Sequence, residues 1–473
     1  MSAMTPNIVL LTPILSIMCT ALLVLLIDAL VRRSERPSFW VSVLGIVLGI
    51  ACSVATMGER GDVFNHMMMV GGYGSFFGIL FMVSALATVL LSREYLRSSQ
   101  RSLGEFYLLV LFATIGMMLI ASAADLIMIF LGIELMSICL YVLAGFLRKR
   151  VKSNESSLKY FLLGAFATGF LLYGIALIYG SSGTTNIGMI AAKYADLSSS
   201  KMFWTGSGLL LVGLAFKAAA VPFHMWVPDV YEGSPTTIAG FMSTGAKAAA
   251  FSALILVFGG QFVHGEGIQL AIAVVAAASM ILGNIVALSQ SNIKRMLAYS
   301  SIAHAGYMLA GVAAANQLGR TGVVFYLTAY TFMNLGAFGV LSLLENDDER
   351  NLTFEHYSGL AGRRPYLAAV MTVFMLSLSG IPPFAGFLGK YYVFAAAVDA
   401  HMTWLAVIGV LTSVLGAYYY LRLVVVMYFE EADESLAAVS SKLGLAVLTF
   451  AALAVIELGI FPSSVLSFID KLF

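Results

Sequence analysis

The sequence predicts an all-α polytopic membrane protein with about fourteen transmembrane helices, on three grounds. Of its 473 residues 60% are hydrophobic and 11% charged, where a soluble domain carries roughly 25% charged residues; the mean hydropathy is +0.93. Apolar runs of about 20 residues, the length a bilayer crossing needs, recur from end to end. The Lys and Arg between them gather mostly in alternate loops. Too little polar chain remains for a sizeable soluble domain.

Taken in order, the first three helices are expected over about 7–31, 38–57 and 74–92. The first run lacks a basic leader and ends at Arg32 and Arg33, so it should remain as a span. Helices four to eight fall at 105–121, 124–147, 155–180, 202–227 and 235–259, the first two separated only by Ser122 and Ala123. Helices nine to thirteen fall at 268–289, 293–315, 320–345, 365–399 and 402–429, and the fourteenth at 442–464. Asn186 to Leu197 reads as a short interfacial helix outside the spans.

Loop charge sets the orientation. Arg32, Arg33, Arg36, Arg93, Arg97, Arg101, Arg148, Lys149, Arg150, Lys152, Lys294, Arg295, Arg350, Arg363, Arg364, Arg422 and Lys442 fall on one side. Arg60, Lys193, Lys201, Arg320 and Lys471 fall on the other, which is 17 against 5. The positive-inside rule then puts both termini on the outer, periplasmic side. Four lysines are left within spans: Lys159, Lys217, Lys247 and Lys390.

Two spans are broken. In Phe216 to Trp226 a run containing Lys217 meets Pro222 and His224; in the twelfth span Gly380-Ile381-Pro382-Pro383 precedes Lys390. A proline break at membrane depth survives only where protein or water covers the freed carbonyls. Each break is fourth in a set of five helices, so the second set starts from the opposite side, as inverted-topology repeats require. The expected division is 1–104 (three N-terminal helices), 105–260 and 261–430 (the two repeats) and 431–473 (a C-terminal helix).

The ionisable residues inside spans are the candidates for chemistry, because a charge there costs ~2.5–3.5 kcal/mol on insertion scales. Glu134 is either a neutral carboxyl bonded to a neighbour such as Ser137 or one half of a Glu–Lys pair, with Lys217 its leading partner. Lys247 sits among Gly245, Ala246 and Ala248, small residues that allow close helix packing; a buried lysine can exchange protons near neutrality. Lys390 either follows its break into a functional position or snorkels. Lys159, four residues after Glu155, fits a surface ion pair as well as a functional role. His224 and His304 are equally readable as packing residues or proton-transfer links. Glu457 reads as interfacial.

Absences narrow the function. Cys19, Cys52 and Cys139 lie in apolar runs without CxxC spacing and read as small core residues, giving no metal site or disulfide framework. No GxxxxGK[ST] phosphate loop, dinucleotide fingerprint or basic tract for nucleic acid is present. Neither ATP nor a redox cofactor of its own drives this chain; an ion-translocating membrane protein fits best.

Three stretches carry a resemblance: MWVPDVYEGSP from Met225 to Pro235, ALSQSNIKRMLAYSSIAH from Ala287 to His304, and LSLSGIPP from Leu376 to Pro383 continuing to Gly389-Lys390-Tyr391-Tyr392. With them essentially the whole chain resembles the subunit N family of bacterial respiratory complex I, the NADH:quinone oxidoreductase of the cell inner membrane. The VPDVYEG-type junction favours that family over subunits L and M and the Mrp antiporters. The resemblance implies a proton-pumping, antiporter-like subunit, with NADH, FMN, iron–sulfur clusters and quinone handled by partner subunits. It implies neighbours of the M, K, J, A, L and H types. It makes Glu134 and Lys217 an inner pair, Lys247 the central relay and Lys390 the exit, with Lys159, His224 and His304 accessory. The rivals are a stand-alone or Mrp-type Na⁺/H⁺ antiporter and a structural subunit whose buried charges only fix packing.

Overall fold

The computed structural model describes residues 9–31, 34–97, 103–259, 265–345, 352–431 and 441–473. Arg32, Arg33, Arg101 and Arg350, counted above among the loop charges, lie outside the described residues.

All fourteen expected spans fall on helix. Eleven are continuous helices long and apolar enough to cross a membrane: α1 (Thr12–Leu30), α2 (Glu35–Thr56), α3 (Gly72–Arg97), α4 (Leu103–Ala121), α5 (Leu126–Ala144), α6 (Val151–Ser182), α11 (Thr236–Phe258), α12 (Glu266–Leu288), α14 (Gln317–Leu344), α18 (Thr403–Phe429) and α19 (Lys442–Ile460). The interfacial stretch forms α7 (Ile187–Ala192) and α8 (Tyr194–Leu197), started by the Asn186 side chain accepting from Met189 N at 3.0 Å. The two broken spans are α9 (Lys201–Ala218) with α10 (Trp226–Gly233), and α16 (Pro365–Ser379) with α17 (Ala385–Asp399). The last of the fourteen is α13 (Ile293–Ala313), which carries Lys294, Arg295 and His304. A turn of 3₁₀ helix (Phe354–Tyr357) and α15 (Leu360–Arg363) precede α16, and α20 (Ser463–Ile469) ends the chain. The final span stops short of the expected 464 because Pro462 cannot continue it.

One feature departs from an all-helical expectation. Strands β1 (Arg60–Val63) and β2 (Met68–Gly71) pair antiparallel between α2 and α3. Their tight turn holds Phe64, Asn65 and His66 at φ of 54°, 54° and 63°. The hairpin also holds the short boundary at Ser122 and Ala123. Met69 N donates to Ser122 O at 2.8 Å and Ala124 N to Met67 O at 2.9 Å, while Asp125 caps α5 by accepting from Ile127 N at 2.8 Å. The short α4–α5 connection is therefore held from outside.

Helices α11 and α14 form the centre, with 94% of the crossing segment buried in each, against 28% in α1. Helix α1 shows Leu22, Leu23, Leu25 and Leu26 on its exposed face, as a lipid-facing helix can. Cys19 is exposed on that helix, Cys52 is half-buried and only Cys139 is buried. The expectation of three core cysteines fails for Cys19 because apolar sequence inside a bilayer does not separate core from lipid contact.

Helices α12 and α13 pack closely along their length. A Cβ added to Gly306 would lie 2.7 Å from Ala276 O, and one on Gly283 would lie 2.6 Å from Ala303 N. Replacing Gly306 with valine should force the pair apart, costing about 1–3 kcal/mol; thermal unfolding of the purified complex measures it. Gly267→Val, at a position with nothing within 4 Å among the described residues, should cost far less.

Candidate functional site: a file of buried lysines

Lys217, Lys247 and Lys390 are 6%, 2% and 6% exposed, and neutral oxygens hold all three. Lys217, in the last turn of α9, donates to Ser137 Oγ at 2.7 Å and Tyr141 OH at 3.3 Å. Its ammonium is also 5.4 Å from the Tyr141 ring centre and 5.8 Å from that of Tyr160, within cation–π range. Tyr160 stacks on Trp226 at 4.4 Å, so α10 supports the cage from behind.

Glu134 does not pair directly with Lys217. It stands half-buried one turn before Ser137 on α5, and the direct contact with Lys217 belongs to Ser137. Sequence alone could not choose between residues on one helical face.

Lys247 follows a π-helical turn, Met242–Ala246, inside α11. Such turns displace the next residue from regular helical register and are frequent at functional sites. The ammonium meets both the carbonyl and Oγ of Ser301 on α13, each at 2.5 Å, and lies 5.6 Å from the Tyr330 ring centre. Gly245, read above as a packing residue, brings α11 against Met117 and Ser84.

Helix α13 then links the second lysine to the third. Ser301, His304 and Tyr307 share one face at i, i+3 and i+6, spanning about 9 Å. His304 is 1% exposed, and its Nδ1 lies 2.8 Å from Tyr326 OH and its Nε2 3.0 Å from Tyr420 OH. Tyr420 OH in turn bonds Ser300 Oγ. Tyr307 OH accepts from Asn284 at 2.9 Å, and its ring centre is 5.1 Å from the Lys390 ammonium. Lys390 donates to Leu378 O, Ser379 O and Ser413 Oγ at 3.0, 2.9 and 2.8 Å. It is turned into the α16–α17 break and does not snorkel.

His224 and Lys159 stand apart from this file. His224 lies in the α9–α10 break beside exposed Pro222 and Met225, its Nδ1 buried without a partner among the described residues. Lys159 pairs with Glu155 at 2.6 Å, as its spacing predicts, and also with Asp229 on α10 at 2.7 Å. Arg295 on α13 bridges Asp229 and Glu232, both at 2.8 Å, and Lys152 reaches Glu232 at 2.8 Å. These six residues clamp α10 to α6 and α13 at the end of the bundle beyond the crossing. Burial opposes ionisation of Asp229 and Glu232, but hydrogen bonds from Lys159 and Arg295 to the first, and from Lys152 and Arg295 to the second, hold both below the usual carboxylate range.

The sequence offered no sign of Ser301, Tyr326 or Tyr420 as partners. Asp229, Glu232 and Arg295 were visible only as parts of motifs. Among the described residues no group of three or more His, Cys, Asp or Glu gathers as a metal site.

With that geometry in place, comparison with known proteins separates candidates that share it. A family model described as the NADH:quinone oxidoreductase/Mrp antiporter transmembrane domain matches residues 123–416. NADH-quinone oxidoreductase subunit N of Salinibacter ruber is 50% identical over 85% of this chain and 81% of its own. The Trichlorobacter lovleyi subunit N is 47% identical over 98% and 96%. The chain belongs to the subunit N family. A chain of respiratory complex I from Thermus thermophilus superposes with a TM-score of 0.85 at 36% identity, covering 96% of this chain and 98% of that one. A chain of the Mrp complex from Dietzia gives 0.87 at 21% identity, covering 98% and 97%. The fold is thus common to complex I and Mrp chains, and sequence identity separates subunit N from the latter.

The charged clamp gives a stability prediction. Asp229→Asn and Arg295→Gln should each destabilise the purified complex by about 1 kcal/mol, since these partly exposed pairs are screened. The double variant should lose less than the sum, with a coupling of about 0.5–1 kcal/mol, measured by thermal unfolding. Because both carboxyl pKa values are depressed, this stabilisation is present above the ordinary carboxylate range and disappears as pH falls through the depressed values.

Proposed function

We propose that this chain is a proton-translocating membrane subunit of the bacterial NADH:quinone oxidoreductase, respiratory complex I. NADH, FMN, iron–sulfur clusters and quinone act in partner subunits, and the M, K, J, A, L and H types are its membrane-arm neighbours. It lies in the cell inner membrane with both termini outside the cytoplasm, on the loop-charge bias. The two five-helix sets, 105–260 and 261–430, act as inverted repeats, each supplying one broken helix.

The observation that carries this reading is the bonding of the three lysines. Each ammonium is buried against hydroxyls, carbonyls and aromatic faces, with no carboxylate in contact among the described residues. Such a lysine can release its proton without leaving a paired carboxylate uncompensated. A lysine that served only to fix packing would be better held in an ion pair. Tyr330 OH and both polar atoms of Asn334, one turn apart on α14, are buried without a hydrogen-bond partner among the described residues. Buried polar groups of that kind are ordinarily met by internal water, which supports a wettable route past Lys247. Protons are taken up near Glu134 and Lys217, pass Lys247 and the Ser301–His304–Tyr307 face, and leave at Lys390. Lys159 and His224 assist from the periphery.

Arginine separates proton carriage from mere charge, because its guanidinium stays protonated. In the assembled complex Lys247→Arg and Lys247→Ala should both reduce NADH-driven proton pumping about tenfold or more, at least ~1.4 kcal/mol on the limiting step. Lys217→Ala and Glu134→Ala should also lower it, the second less. Full pumping in Lys247→Arg alongside loss of assembly in Lys247→Ala would assign these lysines to structure instead. Absence of flavin and iron–sulfur absorbance when the chain is purified with its neighbours would favour a separate antiporter.

A further inference from the structure

A cavity of about 990 Å³ lies away from the lysine file, between α2, α3, α14 and α19, with β1 and α20 at its mouth. Its shaft is apolar: Val83, Phe332 and Phe450 line the deep part. Val83 is about 16 Å down α3 from Gly72 at 1.5 Å per residue, which is one leaflet of a hydrocarbon core ~30 Å thick. The mouth is cationic. Exposed Arg60 and Lys471 line it, and one nitrogen of the Arg60 guanidinium donates to Lys471 O at 2.7 Å and Leu472 O at 3.1 Å. That fixes the planar fork and leaves its other donors for an anion. The acid in the lining, Glu457, is engaged by Ser464 Oγ at 2.8 Å.

We propose that this cavity binds one anionic phospholipid, its phosphate at Arg60 and Lys471 and an acyl chain lying along α3 toward Val83. An apolar shaft of leaflet depth with Arg60 and Lys471 at its mouth matches an amphiphile with a long tail and an anionic head group that the guanidinium can bond. The site stands independently of the proton route.

The test uses the assembled complex in nanodiscs of phosphatidylethanolamine doped with phosphatidylglycerol bearing a photoactivatable acyl chain. Phosphatidylglycerol should cross-link to peptides within 76–83 and 450–458, several-fold above a phosphatidylethanolamine carrying the same chain. Arg60→Gln with Lys471→Gln should bring the two to the same level, and Ala454→Trp, which fills the shaft, should abolish both. Equal labelling by the two lipids in the unaltered complex overturns the proposal. So does a disulfide between Ala454→Cys and a cysteine of a neighbouring subunit, which would show protein covering the cavity. The first comparison needs no variant, so it decides even if a substitution blocks assembly.

Discussion

A helix interrupted inside a bilayer strands carbonyl oxygens where no bulk water can reach them, and the rest of this structure is arranged around meeting that need. The two breaks meet it differently. At the first, Ala219 in the left-handed region (φ 67°) turns the chain; Ala220 N donates to Ala215 O at 2.9 Å and the Trp226 indole to Phe216 O at 3.0 Å. Ser279 of α12 then accepts from Val221 N at 2.9 Å. At the second, Gly380 (φ 85°) makes the turn, and the ammonium of Lys390 itself caps the carbonyls of Leu378 and Ser379.

This difference explains why the two lysines sit on opposite sides of their breaks. At the first break an indole satisfies the carbonyl, so Lys217 is free to reach Ser137 and Tyr141 on α5. At the second the lysine itself meets the helix end, donating to Leu378 O and Ser379 O. Helix C-termini carry partial negative charge, so both ammonium groups gain from lying there. The helix ends at the breaks thus contribute to the electrostatic setting that lets a lysine remain at bilayer depth.

Much of this was legible in the sequence because the breaks are local. Proline, glycine and lysine within a few residues announce where a helix must stop and what charge accompanies it, and the loop charges separate one crossing from the next. What stayed hidden was pairing across long sequence distances. His304 is held by Tyr326, 22 positions away, and by Tyr420, 116 positions away; nothing near His304 indicates either. The choice of Ser137 over Glu134 as the contact of Lys217, 80 positions away, is the same problem, since both lie on one helical face and only the approach of α9 selects between them. The β1–β2 hairpin was missed for a different reason: its strands are four residues each, too short for alternation to show against the surrounding apolar runs.

The charged groups are sorted by what their partners allow. Lys152, Lys159 and Arg295 are tied to Asp229, Glu232 and Glu155, where losing a proton would leave an acid uncompensated. They are fit for holding α10 in place. Lys217, Lys247 and Lys390 are tied to hydroxyls and carbonyls, which accept from a charged amine and still tolerate a neutral one, hydroxyls being able to donate in return. The clamp supports the file all the same: it fixes α10, α10 carries Trp226, and Trp226 stacks on the Tyr160 ring that faces Lys217. A permanent ion pair therefore sets the geometry around a lysine whose own charge is left free to change.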